Sequence, residues 1–531
     1  MHGYLLHHLL TESASRFPEN VAFVHEQTAI GYADLEHQSS RLAGALAELG
    51  VRPGDRVALL FDKSVEAIVA IFGVLKAGAA YVPIDAGAPA SRAHQILRSC
   101  GVTHLVGAVS AAKAVLSAEE PDSPLRHALL AEGSTDGLEA PGTITITSFT
   151  QALAAQSPEH PGARVTDGYP AYVLHTSGST GAPRGVVINH VNALTFVDMA
   201  QAFFDVGPAD RLCSHAPLHF DLSVFDLFVA VKAGAAAVSF PKQLSIFPKK
   251  LAQSIEDQKV TIWNSVSSVL SMIAERGMMD RFAYEALRLC IFSGDVMPPK
   301  YLRELKRRLP RARFFNVYGQ TEANSSTYYE VTAIPDEDRW KIPIGRPFPN
   351  FDVFALGADG RPIEKAGQEG ELYVRAGSVA MGYWGKPDQT AEKFVKDPLV
   401  PISSQNVYRT GDVVTLDDAG DFVFVGRTDH MIKRHGNRVE LGEIELTLAS
   451  LPGVKQAVVV TLPDPMLGNR LIAYVAGDDL TKGAVVAHCR ASIPSYMIPD
   501  EVEIREVLPG TSTGKVDRTA LRAEARARFA E

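Results

Sequence analysis

The stretch Thr176-Ser-Gly-Ser-Thr-Gly-Ala-Pro-Arg-Gly185 decides how this chain is read. An apolar run, Ala171-Tyr-Val-Leu174, leads into it, and another, Val186-Val-Ile188, leads out. Between these strand-like pieces lie three glycines, four hydroxyl residues and one cation. Glycines let a backbone approach a ligand and turn successive N–H groups inward, which makes an anion-binding nest. The hydroxyls and Arg184 add side-chain donors suited to phosphate oxygens. No Gly-x-x-x-x-Gly-Lys-Ser/Thr spacing fits, so the loop is not the P-loop of NTPases. On this stretch alone, a phosphate cradle and a flexible turn in a hairpin both stay open.

Working outward, the first hundred residues alternate helical and strand patterns. Leu35 to Leu49 and Val65 to Leu75 have helical spacing, while Val57-Ala-Leu-Leu-Phe61 and the run from Ala79 to Ile84 are short apolar strands. Such alternation predicts an α/β fold with largely parallel sheets. Residues 108–168 are rich in Ala, Ser, Pro and Gly and read as a surface excursion. Alternation resumes to about residue 335. From about 340 to 425 the pattern turns β-rich, with Gly370-Glu-Leu-Tyr-Val-Arg375 and a hairpin around Asp417-Asp-Ala-Gly420. After Asp429 a small α+β unit follows, ending in an amphipathic helix from Arg518 to Ala530. Two domains are expected, 1–428 and 429–531, the first holding two α/β subdomains and the β-rich subdomain.

The 531 residues are 46% hydrophobic and 21% charged, an ordinary globular composition. A net charge of −9 argues against a general nucleic-acid or membrane-surface binder. The basic run Lys306-Arg-Arg-Leu-Pro-Arg-Ala-Arg313 reads as a solvated helix end. Four scattered cysteines, Cys100, Cys213, Cys290 and Cys489, suggest neither a zinc site nor a disulfide framework. No signal peptide or membrane span is evident, and a reducing cytoplasm fits the whole.

Further motifs follow the loop in a fixed order. They are Leu75-Lys-Ala-Gly-Ala-Ala-Tyr-Val-Pro-Ile-Asp85 before it, then Asn316-Val-Tyr-Gly-Gln-Thr-Glu322, Gly370-Glu-Leu-Tyr-Val374 and Tyr408-Arg-Thr-Gly-Asp412. Gly426-Arg-Thr-Asp-His-Met-Ile-Lys433, Arg438-Val-Glu-Leu-Gly-Glu-Ile-Glu445 and Gly510-Thr-Ser-Thr-Gly-Lys515 complete the series. Over nearly the whole chain this set resembles the adenylate-forming superfamily. Its members include acyl-CoA synthetases, luciferase and the adenylation domains of nonribosomal peptide synthetases.

That resemblance implies an ATP-dependent, AMP-forming ligase that uses Mg²⁺. A substrate carboxylate attacks the α-phosphate of ATP, pyrophosphate leaves and an acyl-adenylate remains. Positioning and charge neutralisation dominate such chemistry. The resemblance assigns Thr176, Ser177, Gly178, Ser179, Thr180, Gly181 and Arg184 to the phosphates. Glu322 would help hold Mg²⁺, Thr321 would meet the α-phosphate, and Lys515 would bridge carboxylate and phosphate. Asn316, Tyr318 and Gly319 would take the adenine side, and Asp412 with Arg427 the ribose.

His219-Phe-Asp-Leu-Ser-Val-Phe225 resembles the substrate motif of amino-acid-activating members. Asp221 would then bind the substrate ammonium; the alternative is a helix N-cap, since an apolar helical run follows. The pocket carried over comprises Phe220, Leu222, Phe225, Asn264, Ile291, Ser293, Val317, Ser325 and Ser326. Without a basic residue or second acid it disfavours charged side chains. Its polar members fit a small polar amino acid such as threonine, cysteine or serine, with proline or a β-amino acid as alternatives.

Asp429 falls at the family's hinge position, and Lys433 and Gly436 on the segment brought in for thioester formation. No carrier segment is evident, which implies a stand-alone enzyme that loads the phosphopantetheine thiol of a separate carrier protein. A carboxylate–CoA ligase and a silent binding protein are the rivals. Arg184 stands where lysine is usual, and Gln320 where proline is usual.

Overall fold

The protein is described by a computed structural model. It describes residues 3–118, 122–134, 138, 144–160, 162–178, 182–241, 244, 247–337, 340–428, 431–464, 466–509 and 516–529. The expected positions Ser179, Thr180, Gly181, Asp429 and Lys515 lie outside them.

Two large sheets form the body. Among the described residues one has eight strands, with Arg56–Leu60 between the parallel strands Ala80–Pro83 and His104–Ala108. The strand Pro170–Thr176 lies parallel to Ala80–Pro83, and Arg184–Asn189 pairs with it antiparallel. The other has nine strands and is parallel through Arg211–Ser214, Ile262–Val266, Leu289–Ser293 and Arg313–Gln320. Connecting helices are capped as their sequences direct. Ser64 caps Val65–Lys76 by accepting from the Ala67 N–H, and Asn189 with Asn192 forms a capping box on His190–Phe203.

The surface-excursion reading of residues 108–168 needs correction. His127–Ala131 and Thr145–Ser148 extend the eight-stranded sheet in parallel register beyond His104–Ala108. Ala128, Leu129, Leu130 and Ala131 are buried there. A buried strand this short shows no periodicity against Ala- and Ser-rich flanks.

The β-rich region is a five-stranded antiparallel sheet in which Asn406–Leu416 pairs with Glu369–Ala376, Phe394–Lys396 and Phe422–Arg427. Beyond it, the hairpin Met431–Arg434/Asn437–Glu440 leads into helix Leu441–Ala449. A three-stranded sheet, Val454–Asp464, Gly468–Gly477 and Glu501–Arg505, follows with helices Lys482–Ser492 and Arg518–Phe529. This smaller unit has its own apolar cores, around Val439, Ile444 and Val475 and around Val460, Tyr474 and Leu521. All four cysteines are free and buried, and burial pushes the Cys100 and Cys489 thiols up to about 11. No helix among the described residues is long and apolar enough to cross a membrane.

Candidate active site

The C-terminal ends of the nine-stranded sheet's parallel strands, the glycine-rich loop and the hairpin converge on one cleft. Two cavities share Gly294, Val317, Met431 and Lys433 in their walls. The first holds Thr176, Ser177, Gly319, Thr321 and Glu322 together with the expected pocket residues Phe220, Asp221, Leu222, Phe225, Asn264, Ile291, Ser293, Val317 and Ser325. The second, of about 760 Å³, holds Asn316, Tyr318, Asp412 and Arg427. Residues far apart in the chain are thus sorted into two adjoining compartments.

Ser326 departs from the expected set. It is fully buried and turns its hydroxyl to the Asn324 carbonyl at 3.2 Å. On a strand, alternate side chains face opposite sides, so Ser325 and Ser326 do not share a cavity.

Asp221 precedes a single helical turn, Leu222–Val224, yet its side chain makes no capping bond. Its Oδ2 instead accepts from the Thr321 hydroxyl at 2.8 Å. Burial raises the Asp221 carboxyl above its ordinary range, while the Thr321 bond and the Lys433 charge oppose the rise. A buried carboxylate of this kind favours a cationic partner. The chain then winds into a π-helical turn, Phe225–Val229, a feature frequent at functional sites. That turn puts Asp226 beneath the pocket, where it accepts from Asn264 Nδ2 at 2.9 Å. Lys63 is its counter-ion and donates to the Ser214 carbonyl and hydroxyl, both at 2.7 Å. Burial lowers Lys63 and raises Asp226 from their ordinary values, and the charge of each offsets the shift of the other.

On the nucleoside side, Asp412 accepts from Tyr318, Gln320 and Arg427. Gln320 therefore does more than replace a usual proline: its amide braces that carboxylate. Asn316 Nδ2 donates to the Pro343 carbonyl at 2.7 Å. The Lys433 ammonium lies 5.8 Å from the centre of the Tyr318 ring and 3.5 Å from the Gly319 carbonyl.

At the loop, a Cβ on Gly178 would come within 2.1 Å of the Ala182 carbonyl, so only glycine fits. Thr176 Oγ1 lies 3.5 Å from the Arg184 carbonyl. The Arg184 guanidinium sits 4.7 Å above the Tyr383 ring. Glu322 is fully buried; burial works to raise its carboxyl, but Arg438, Arg184 and Tyr383 outweigh it and hold the group below its ordinary value. Its Oε1 accepts from Tyr383 at 2.7 Å and Arg438 at 2.9 Å, whereas its buried Oε2 accepts nothing from the described residues. No cluster of three or more His, Cys, Asp or Glu among the described residues could hold a metal unaided. A lone carboxylate oxygen with an open valence fits a hard divalent cation that takes its other ligands from phosphates and water.

The hairpin is seated inside this cleft. Gly436 takes φ +76, and a Cβ there would come within 2.3 Å of Val266 Cγ1. Its N–H donates to Asp295 at 2.5 Å, and Gly294 packs directly against it. Burial raises the Asp295 carboxyl to about 6, against the Gly436 bond and the Lys433 charge. Behind the hairpin, Glu443 pairs with buried Arg92. The sequence reading missed Asp295, Arg92, Tyr383, Lys63 and Asp226. Arg438, Glu440 and Glu443 lie inside a quoted motif without an expected task; three acids and a cation within eight residues of a small domain were the available signal.

Residues 10–384 match the AMP-binding enzyme family, and residues 443–515 match the AMP-binding enzyme C-terminal domain. An L-proline–[L-prolyl-carrier protein] ligase of Pseudomonas fluorescens is 35% identical over 520 residues, covering 97% of this chain and 98% of that protein. A dimodular nonribosomal peptide synthase of Bacillus subtilis is 33% identical over 521 residues, which are 98% of this chain but 21% of that one. Among solved structures, IdnL1 is 29% identical with a TM-score of 0.79, covering 96% of this chain and 99% of the other.

Proposed function

The chain belongs to the AMP-binding enzyme family, and from that premise we propose that it activates an amino acid and loads it onto a carrier protein. The amino acid carboxylate attacks the ATP α-phosphorus, the bond to the β-phosphate oxygen breaks, and pyrophosphate leaves. The phosphopantetheine thiol of a separate carrier protein then attacks the acyl carbon, and AMP leaves with the bonding electrons.

The observation that carries this reading is Asp221. It is a buried carboxylate in the pocket wall, held by Thr321 and making no capping bond. An ammonium of the substrate completes it. Thr176, Ser177 and Arg184 then face the departing phosphates, a task that Ser179, Thr180 and Gly181 of the same loop would share. Asp412, braced by Gln320 and Arg427, takes the ribose hydroxyls beside Asn316 and Tyr318. Mg²⁺ on Glu322 would neutralise phosphate charge as it develops. Lys515 serves the first step, and Lys433 and Gly436 serve the second, with the division between domains at Asp429.

L-proline is the substrate best supported. The relative named for it matches over almost its full length. Leu222, Phe225, Ile291 and Val317 give the pocket apolar walls that suit a pyrrolidine ring. A second reading, a small polar amino acid, draws on the Asn264 amide held in that wall by Asp226. Amino-acid-dependent ATP–pyrophosphate exchange tests both. Exchange with L-proline well above threonine, cysteine, serine and β-amino acids supports the first, and the reverse order supports the second. Exchange with no amino acid would overturn activation altogether. Labelled substrate offered with holo-carrier protein and CoA tests the acceptor, and labelling of CoA alone would sink the carrier reading.

A further inference from the structure

A polar layer lies beneath the amino-acid compartment, and the activation chemistry leaves it without a task. Asp226 is fully buried, one residue after the pocket residue Phe225 in the π-helical turn. It accepts from Asn264 Nδ2 at 2.9 Å. Lys63, two residues before helix Val65–Lys76, is anchored on the Ser214 carbonyl and hydroxyl, and its charge acts on the Asp226 carboxyl. Three segments distant in the chain thus meet under one wall of the compartment.

This layer bears on which end of the Asn264 amide faces a substrate. An amide turns either its nitrogen or its oxygen to a neighbour, whereas an ionised carboxylate only accepts hydrogen bonds. The Lys63 charge favours the ionised form of Asp226. With Nδ2 committed to Asp226, Oδ1 is the atom left to meet the contents of the compartment. Asn264 stands in the cavity wall beside Ile291, its register partner on the strand Leu289–Ser293. The cavity measures about 90 Å³, so a side chain inside it lies close against this wall.

We infer that Lys63 and Asp226 are positioning residues that fix the Asn264 amide with its oxygen toward the substrate, so that the compartment selects a side chain bearing a hydrogen-bond donor over one bearing an acceptor. The inference rests on the activation reading, which sets the substrate ammonium on Asp221 and the side chain against the remaining walls. It holds for either substrate class, because a hydroxyl on a pyrrolidine ring or on a short side chain would meet the same oxygen. An acceptor placed there leaves two oxygens facing each other unpaired in a buried site.

The test is pyrophosphate exchange with analogues matched in size. Both epimers of 4-hydroxy-L-proline are compared with 4-oxo-L-proline, which carries an acceptor on the same ring carbon. In the wild-type enzyme kcat/KM should favour the better hydroxylated epimer about tenfold or more. If the enzyme exchanges short side chains instead, threonine against valine, alike in shape, takes their place. The Lys63→Met/Asp226→Asn double variant removes both charges together, so that no buried ion is left alone, and frees the amide to turn. The preference should then largely vanish, mainly through better use of the member without the donor, while the KM for ATP stays unchanged. Asp226→Asn alone should behave alike and serves if the double variant does not fold. Asp226→Glu keeps the carboxylate and should retain most of the preference. Equal use of both members by the wild type, or a variant with lower activity and the preference intact, overturns the inference and leaves the activation reading standing. Exchange with no amino acid at all overturns both.

Discussion

The hydroxyl of Thr321 donates to Oδ2 of Asp221 at 2.8 Å, joining two residues a hundred positions apart in the chain. Thr321 belongs to the segment that ends in Glu322, so the bond ties the amino-acid compartment to the phosphate side. An Asp221→Asn variant keeps the size and the Thr321 contact but loses the charge. Leaving a buried ammonium unpaired costs about 3–4 kcal/mol, roughly two to three powers of ten. Exchange dependent on the amino acid should fall by that factor, chiefly through its KM. ATP binding measured by calorimetry should change little.

Gln320 braces Asp412 through its side-chain amide. A hydrogen bond to a charged group contributes about 1.5–3 kcal/mol. Gln320→Met should therefore raise the KM for ATP about tenfold or more, with kcat nearly unchanged. An unaltered KM would mean that Tyr318 and Arg427 hold Asp412 without help.

Gly436 combines a left-handed φ with a near approach to Val266. Strain of this kind costs about 1–3 kcal/mol before the clash is counted. In Gly436→Ala, carrier loading should fall roughly 10–100-fold, and pyrophosphate exchange far less. Equal loss of both activities would remove the seated hairpin from the second step.

Buried histidines should make the fold acid-sensitive. Burial lowers His190 and His215 to about 4 and His175 to about 3, with His8, Lys63 and Arg92 respectively adding to the shift. In the unfolded chain these imidazoles take a proton near 6.5. Stability is therefore complete above pH 6.5 and is lost as pH falls from there toward 4, by at most about 1.4 kcal/mol per pH unit for each histidine. His190 accepts the Leu6 N–H at 3.1 Å and can be replaced singly. The urea midpoint followed from pH 7 to pH 4 should decline less steeply in His190→Gln.

Much of the large architecture could be read from pattern. Val57 to Phe61 and Val65 to Leu75 became the strand Arg56–Leu60 and the helix Val65–Lys76. The hairpin around Gly420 forms as its turn residues direct, with φ +78 at that glycine. His127–Ala131 was lost because its neighbours look like loop and its own run is too short to show a period.

The cleft was legible where a residue acts through its own chemistry. The grouping of Asp221 with Asn264, Ile291 and Ser293, and of Asp412 with Tyr318 and Arg427, was implied by the family resemblance, and the structure brings each set to one cavity. Ser326 was misplaced because carry-over by motif ignores which face of a strand a side chain takes. Lys63 and Asp226 escaped because two buried charges that act on each other across 163 positions leave no mark on local sequence. Arg438 and Glu440 escaped for another reason: their partners lie in a different domain.

The contacts that hold the small domain in the cleft are mostly charges and backbone polar groups. Arg92 meets Glu443, Arg438 meets Glu322, Asp295 meets Gly436, and Met466 adds an apolar touch at the margin. Its apolar cores stay sealed within it. A face of that composition is wettable, so separating the two surfaces would hydrate ions rather than bare a greasy patch. Undocking would then carry little risk of sticking to other chains.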